Sequence, residues 1–210
     1  YCAPPGTYQL TVYDTFGDGI CCEFGFGEFT ILVDDVIVGH GGDFLYEDVT
    51  TIVIGDDIGS LSVDYAQGWN MVGLPLEVED AHYQTLFPNA YNNAMYSFGE
   101  GYSSVEYLIQ GEGYLVRLSD GGIVEFSGAT IDDLTLSLTE GWNLISGISS
   151  PLSVDVLYNS GLVVSNGIYA FDGSYYPAST IDPGMGYWVR ALSDGDITLS
   201  SSDVSAKSIE

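Results

Sequence analysis

The chain has 210 residues and is strongly acidic, with 30 aspartates and glutamates against 3 lysines and arginines and a formal net charge of −27. This charge repels phosphate backbones and anionic lipid, which excludes nucleic acid as a partner class. No apolar run approaches the roughly 18 residues that a membrane-spanning helix needs, so we expect no membrane insertion. The hydrophobic content of 46% predicts folded domains with packed cores.

Residues 1–58 are predicted to form a small β-sandwich or jelly-roll-like module. Tyr8, Leu10 and Val12 alternate with polar neighbours, and the same period of two recurs over residues 29–33. Two further apolar runs, at residues 36–38 and 51–54, complete four short strands. A β module of this size is marginally stable alone, so a disulfide, a metal ion or a neighbouring domain should support it.

The loop after the first strand is rich in glycine and aspartate and carries a recognisable motif. Residues 8–29 read YQLTVYDTFGDGICCEFGFGEF. This segment resembles an accessory β module of extracellular peptidases and surface proteins, whose motif reads roughly YTLTIYDSYGDGICC. The resemblance implies an extracellular, non-catalytic module and supplies no ligand.

Three cysteines, Cys2, Cys21 and Cys22, lie in this module. One disulfide from Cys2 to Cys21 or Cys22 would stabilise a small secreted domain. The odd thiol would then stay free or pair with another chain. A bond between the adjacent Cys21 and Cys22 is a third, strained arrangement.

The same loop is the best candidate for a metal site. Asp14 and Asp18 lie four residues apart among glycines, and Asp43 could join them from a facing loop. Carboxylate and carbonyl oxygens suit Ca²⁺, so calcium is the candidate cofactor. The alternative is a tight turn in which Asp18 and Gly19 only supply hairpin geometry.

Residues 61–133 and 134–207 are predicted to be two tandem β-rich repeats. The stretch GWNMVG beginning at Gly68 returns as GWNLIS at Gly141, and GEGYLVR beginning at Gly111 returns as GMGYWVR at Gly184, each 73 residues later. The helical segments should be brief, at about residues 78–87 and 153–158, with Ser153 and Asp155 as candidate caps of the second. The pattern resembles tandem repeats of secreted and surface proteins of bacteria, which implies no catalytic residues.

The repeat motifs contain aromatic and basic residues whose roles the sequence leaves open. Trp69 and Trp142 recur at one strand position, which favours a core anchor over a sugar-stacking platform. The tyrosines Tyr114 and Tyr187 recur in the second motif and are expected to be structural. Arg117 and Arg190 are two of the three basic residues and should hold a carboxylate or carbonyls within their own repeats, the alternative being an anion hook at an interface.

No catalytic constellation emerges, so an enzyme is not expected. His40 and His82 lie in different modules, without the spacing of a zinc site or a triad. Because the chain begins at Tyr1 and ends in a sequence like the start of another unit, we expect a piece of a longer, processed protein.

The sequence therefore predicts an all-β, extracellular or cell-surface protein with a structural or adhesive role. Like subunits, forming a homopolymer or layer through β-module surfaces and bridged by calcium, are the expected partners. The alternative is the carbohydrate- or substrate-binding accessory region of a secreted hydrolase, with polysaccharide as the partner. An exposed line of coplanar aromatic side chains would favour this alternative, whereas buried tryptophans and large interfaces between chains would favour assembly.

Overall fold

The computed structural model describes residues 6–13, 28–33, 36–41, 46–54, 58–99 and 101–203. Strands account for 62% and helices for 7%, which confirms an all-β fold with minor helices. The chain divides into two compact units, Tyr1–Ile58 and Gly59–Glu210.

The first unit contains the four predicted strands. They are β1 (Gly6–Tyr13), β2 (Phe29–Val33), β3 (Val36–Gly41) and β4 (Glu47–Ile54). β1 pairs antiparallel with β4 along its whole length, and β2 and β3 form a hairpin whose register shifts at Ile31. The side chain of Thr50 on β4 packs against Gly39 on β3, which brings the two pairs together.

The first repeat in the second unit has seven strands and one helix. They are β5 (Ile58–Tyr65), β6 (Gly68–Val72), β7 (Leu76–Glu77), α1 (Tyr83–Leu86), β8 (Ala90–Phe98), β9 (Tyr102–Ser104), β10 (Tyr114–Leu118) and β11 (Gly122–Thr130). One sheet has the order β6-β10-β8-β9 and the other β5-β11-β7. The helix is shorter than predicted because β7 extends to Glu77 and His82 caps the N-terminus of α1, where its side chain accepts the N–H of Gln84.

The second repeat has a four-stranded sheet like that of the first and differs from it in the remaining strands. Its elements are β12 (Asp133–Leu138), β13 (Gly141–Ser146), β14 (Leu152–Ser153), α2 (Asp155–Asn159), β15 (Val163–Phe171), β16 (Tyr175–Pro177), β17 (Thr180–Ile181), β18 (Gly186–Ala191), β19 (Gly195–Ser200) and a 3-10 turn (Ser201–Asp203). The sheet order β13-β18-β15-β16 matches that of the first repeat, while β12-β19 and β14-β17 are separate pairs. Val154 is the N-cap of α2 without a side-chain bond, and the Ser153 hydroxyl accepts the N–H of Asp155.

Unusual backbone angles also repeat at the 73-residue offset. Gly68 and Gly141 have φ of 96° and 100°, and Asn93 and Asn166 have φ of 55° and 58°. Such left-handed residues are uncommon outside glycine. Their recurrence shows that both sequences adopt the same backbone path.

The Gly-Trp-Asn motif forms the entry to a strand. Its asparagine folds back on the preceding turn: the Asn70 Nδ2 donates to the carbonyl of Ala66 at 2.8 Å, and its Oδ1 accepts the Ala66 N–H at 3.1 Å. Asn143 makes the same pair of bonds to Thr139, at 2.8 and 3.0 Å. Glycine and asparagine therefore fix the backbone conformation of this motif. These local bonds do not determine which face of the sheet the tryptophan side chain occupies.

The two repeats pack against each other through reciprocal contacts. The N–H of Gly73 donates to the carbonyl of Gly184 at 3.0 Å, and the N–H of Ser146 donates to the carbonyl of Gly111 at 2.9 Å. Each bond is the other shifted by 73 residues with donor and acceptor repeats exchanged, which is the signature of a two-fold, isologous interface. The repeats thus form one unit related by a pseudo-two-fold axis.

Each repeat has its own apolar core, and a third cluster lies between them. Buried residues of the first core include Leu76 and Phe126, and those of the second include Leu157 and Leu199. Met185 packs against both cores. The third cluster comprises Met71, Leu144 and Trp188, with partly buried aromatic side chains around it.

Candidate ligand-binding face

The strand register places the motif tryptophans on the outer faces of the sheets. Trp69 on β6 lies opposite Arg117 on β10, and Trp142 on β13 lies opposite Arg190 on β18. Residues directly opposite in an antiparallel pair share a face. Trp69 and Trp142 each keep 43% of their surface exposed, so the prediction that they are core anchors is wrong.

The reason for this difference lies in the third cluster. Met71 and Val72 are both buried although they point to opposite faces of β6, because the sheet is covered on both sides near the pseudo-two-fold axis. Such a strand has no alternating pattern from which its outer face can be read. Only the pairing with the exposed Arg117 shows which way Trp69 points.

Nine aromatic side chains form a contiguous surface, which we call the aromatic band. They are Trp69, Tyr96, Phe98, Tyr102, Trp142, Tyr169, Phe171, Tyr175 and Trp188. Phe98 of the first repeat meets Trp188 of the second edge-on, with ring centroids 4.7 Å apart. This contact carries the band across the boundary between the repeats, and within the second repeat Trp142 lies edge-on to Trp188 at 6.2 Å.

The band contains two open pockets related by the repeat. Pocket A, of about 390 Å³, is lined by Phe98, Tyr102, Trp142, Tyr169, Tyr175 and Trp188. Pocket B, of about 440 Å³, is lined by Trp69, Tyr96, Tyr102, Leu115, Phe171 and Tyr175. Adding or subtracting 73 converts one lining set into the other, and Tyr102 and Tyr175 belong to both. The pockets differ at one equivalent position, where Trp188 corresponds to Leu115.

The two tyrosines shared by the pockets, Tyr102 and Tyr175, each bring a phenol ring and a hydroxyl to the band. Desolvation, and secondarily the neighbouring Tyr175, raises the pKa of Tyr102 above its ordinary value. Tyr102 therefore keeps its proton at neutral pH. An exposed ring with a hydroxyl at its edge offers both a stacking face and a hydrogen-bond donor.

A polar cleft of about 660 Å³ adjoins pocket A at Phe98 and Tyr102. The first repeat contributes Gln110 and Glu112 to it, and the second contributes Ser137 and Asn143. Glu112 is exposed, and its Oε2 accepts the hydroxyl of Tyr114 at 2.9 Å. Hydrogen-bonding groups thus lie directly beside an apolar stacking surface.

The arginines do not form the expected carboxylate contacts. Within the residues that the structure describes, neither Arg117 nor Arg190 pairs with an acidic side chain, and both are exposed. The Arg117 guanidinium instead lies over the ring of Tyr91, 5.3 Å from its centroid. Among the described residues, neither arginine makes the predicted bond to a carboxylate or carbonyl of its own repeat, and Arg117 packs on an aromatic ring instead.

The motif tyrosines are buried and brace the turns before their strands. The hydroxyl of Tyr114 accepts the N–H of Ile109, and that of Tyr187 accepts the N–H of Asp182, both at 2.8 Å. Burial raises the pKa of both hydroxyls, so they stay protonated. They belong to the cores of their repeats and line neither pocket.

The proposed calcium and disulfide residues lie outside the described residues. These are Asp14, Asp18 and Asp43 for calcium, and Cys2, Cys21 and Cys22 for the disulfide. Among the residues that are described, no group of three or more His, Cys, Asp or Glu side chains is placed to hold a metal ion. In the same part of the chain, no helix is both long and apolar enough to cross a membrane.

Comparisons with known proteins supply no relative from which the role of the aromatic band could be inferred, so its role is inferred from its geometry. No protein-family model matches the chain, and neither a curated protein nor a solved structure matches it significantly.

Proposed function

We propose that residues 59–210 form a non-catalytic binding module that holds a neutral polysaccharide on the aromatic band, as part of an extracellular adhesive or accessory protein. The observation that carries the proposal is the pair of half-exposed tryptophans in two open, repeat-related pockets. Contiguous exposed apolar surface on a folded protein marks an interaction site.

Aromatic rings and adjacent polar groups together suit sugars. The apolar C–H faces of a pyranose ring can lie on Trp142 or on Trp69, and Gln110 and Glu112 in the cleft beside pocket A can bind sugar hydroxyls. Ligand sites are commonly built in this way, from apolar walls with a few polar groups that fix orientation.

The charge of the protein narrows the ligand further. With a net charge of −27, the chain repels polyanions and also other copies of itself. A neutral polymer carries no charge, so its binding to this acidic protein is not opposed by electrostatic repulsion. We therefore favour neutral polysaccharide over acidic polysaccharide and over a second copy of the chain.

The sheet edges offer less support to the assembly hypothesis. The outer strands β9 and β16 have only three residues each, and β16 ends in Pro177. Short edge strands and edge prolines discourage strand addition. Trp69 and Trp142 are exposed, which the binding alternative requires, although the rings beside them are tilted or edge-on to them and not coplanar.

The test is retardation of the full chain in native gels containing a neutral β-1,3-glucan, β-1,4-glucan, xylan or mannan. We expect retardation by at least one polymer. Trp142→Ala should weaken it by roughly thirtyfold, which corresponds to about 2 kcal/mol for a hot-spot aromatic residue. Tyr107→Ala is the matched control, because Tyr107 is 59% exposed and contacts His82 rather than the band.

Two outcomes would contradict the proposal. One is equal migration of the wild type with and without every polymer. The other is concentration-dependent self-association that Trp142→Ala abolishes in sedimentation experiments, which would make the band a homotypic interface.

A further inference from the structure

The two repeats differ at the positions that flank the pockets. Around the polar cleft, the first repeat has Ser97, Gln110 and Glu112, and the 73-residue shift replaces them with Ala170, Pro183 and Met185. Three hydrogen-bonding side chains thus correspond to three that cannot donate or accept conventional hydrogen bonds. The polar flank lies at one end of the pseudo-two-fold arrangement.

The polar side chains have unused hydrogen-bonding capacity. Within the described part of the chain, the side chains of Ser97 and Gln110 make no hydrogen bond. Glu112 uses Oε2 to accept the Tyr114 hydroxyl and keeps Oε1 open. Glu112 is exposed and Gln110 half-buried, so both remain available to a ligand.

The one difference between the two pocket linings, Trp188 against Leu115, places the larger aromatic ring in pocket A, which adjoins the polar cleft. The Trp188 ring makes edge-on contacts with the rings of Phe98 and Trp142. Phe98 also lines the polar cleft. The larger stacking surface and the free polar groups are therefore continuous, although nothing in the repeat itself requires them to coincide.

We propose that pocket A and the polar cleft form the primary subsite for a linear, neutral polysaccharide, and that pocket B is a secondary stacking site. This inference rests on the proposed function. A sugar bound in pocket A stacks on Trp142 and extends the chain past Phe98 into the cleft. There Gln110 and Glu112 bind hydroxyls of the next sugar, whereas pocket B supplies stacking alone.

Glu112 also sets the chemistry of the ligand. A carboxylate accepts hydroxyl hydrogens strongly and repels a second carboxylate. Polymers of neutral sugars are therefore bound, and polymers of uronic acids are rejected at this subsite. Glu112→Gln keeps the shape and removes the charge, so it should relax the rejection.

The experiment is calorimetric titration of the full chain with cello-, laminari-, xylo- and manno-oligosaccharides of increasing length. The key comparison is between repeat-matched variants, Trp142→Ala against Trp69→Ala and Gln110→Ala against Pro183→Ala. We expect Trp142→Ala to lose roughly tenfold more affinity than Trp69→Ala. Gln110→Ala should lose about fivefold, only for oligosaccharides long enough to span pocket A and the cleft, and Pro183→Ala should change little.

The outcomes separate this inference from the proposed function. Equal losses for the two tryptophan variants, or for Gln110→Ala and Pro183→Ala, would overturn the primary subsite while leaving polysaccharide binding intact. Absence of binding to every oligosaccharide, and to the polymers from which they derive, would overturn both. Trp142→Phe and Trp69→Phe, which conserve bulk, keep the comparison decisive if an alanine variant fails to fold.

Discussion

Gly73 and Ser146 occupy the same position in the two repeats and face each other across the pseudo-two-fold axis. A Cβ built on Gly73 would collide with the Cβ of Ser146 and lie 2.6 Å from its Oγ. The substitution Gly73→Ser therefore places two side chains where the interface holds one. Because a Cβ is fixed to the backbone, no rotamer relieves the collision.

The expected cost follows from the contacts that must separate. Parting the strands weakens two backbone hydrogen bonds, Gly73 to Gly184 and Ser146 to Gly111, each worth about 1 kcal/mol. Overpacking of a closed interface adds about 1–3 kcal/mol. Gly73→Ser should thus lower the free energy of unfolding by about 3–5 kcal/mol.

The swapped variant Gly73→Ser/Ser146→Gly should restore stability. It places the side chain on the opposite strand of a symmetric site, and the strand penalty of a new glycine, about 0.5–1 kcal/mol, is offset where glycine is removed. We expect the double variant within about 1 kcal/mol of the wild type, and a coupling energy of about 3 kcal/mol between the two sites.

Urea unfolding followed by tryptophan fluorescence measures this cycle. All three tryptophans lie in the unit Gly59–Glu210, so the signal reports on that unit alone. If the double variant were destabilised by the sum of the two single effects, the isologous packing of the repeats would be refuted.

Four further predictions concern the pockets, the interface, the core and calcium. Because every tryptophan lines one of the two pockets, a bound oligosaccharide should change the intrinsic fluorescence in a saturable titration, and an unchanged spectrum on binding would contradict the site. The Ser146 hydroxyl is buried and has no hydrogen-bond partner among the described residues, so Ser146→Ala should raise the unfolding free energy by about 1 kcal/mol, and a lower melting temperature would count against this. Burial raises the pKa of Tyr65 far above its ordinary value; the contribution of Tyr65 to stability should be constant below about pH 9 and be lost as the pH rises beyond about 10, because the unfolded state then ionises first, and the decline should be shallower in Tyr65→Phe. If calcium binds the first unit, EDTA should lower its melting temperature, and Asp14→Asn/Asp18→Asn should abolish that response.

Much of the architecture was predictable from the sequence. The period of two in residues 8–12 predicted β1, and the 73-residue echo of Gly68 in Gly141 predicted two units with one backbone path. The glycines and asparagines of the motifs act within a few residues of themselves, as in the bonds from Asn70 to Ala66. Local interactions of this kind leave a direct trace in sequence.

The direction of the tryptophans was not predictable. A recurring tryptophan on an apolar strand is compatible with either face, and Met71 and Val72 give no alternation to decide between them. The same limit applies to Arg117, whose neighbour Tyr91 lies 26 residues away in the chain. Each depends on strand pairing that joins distant segments.

The sequence by itself determined that a β unit is used twice, because identical local constraints produce identical local conformations. Only the tertiary structure decided that the copies meet about a pseudo-two-fold axis, through Gly73 and Ser146, and that Trp69 and Trp142 face outward. The physical reason is that burial is a property of packed surfaces. Met71 and Leu144 are buried where the two repeats pack together, and the partly buried aromatic rings around them form the edge of the exposed aromatic band.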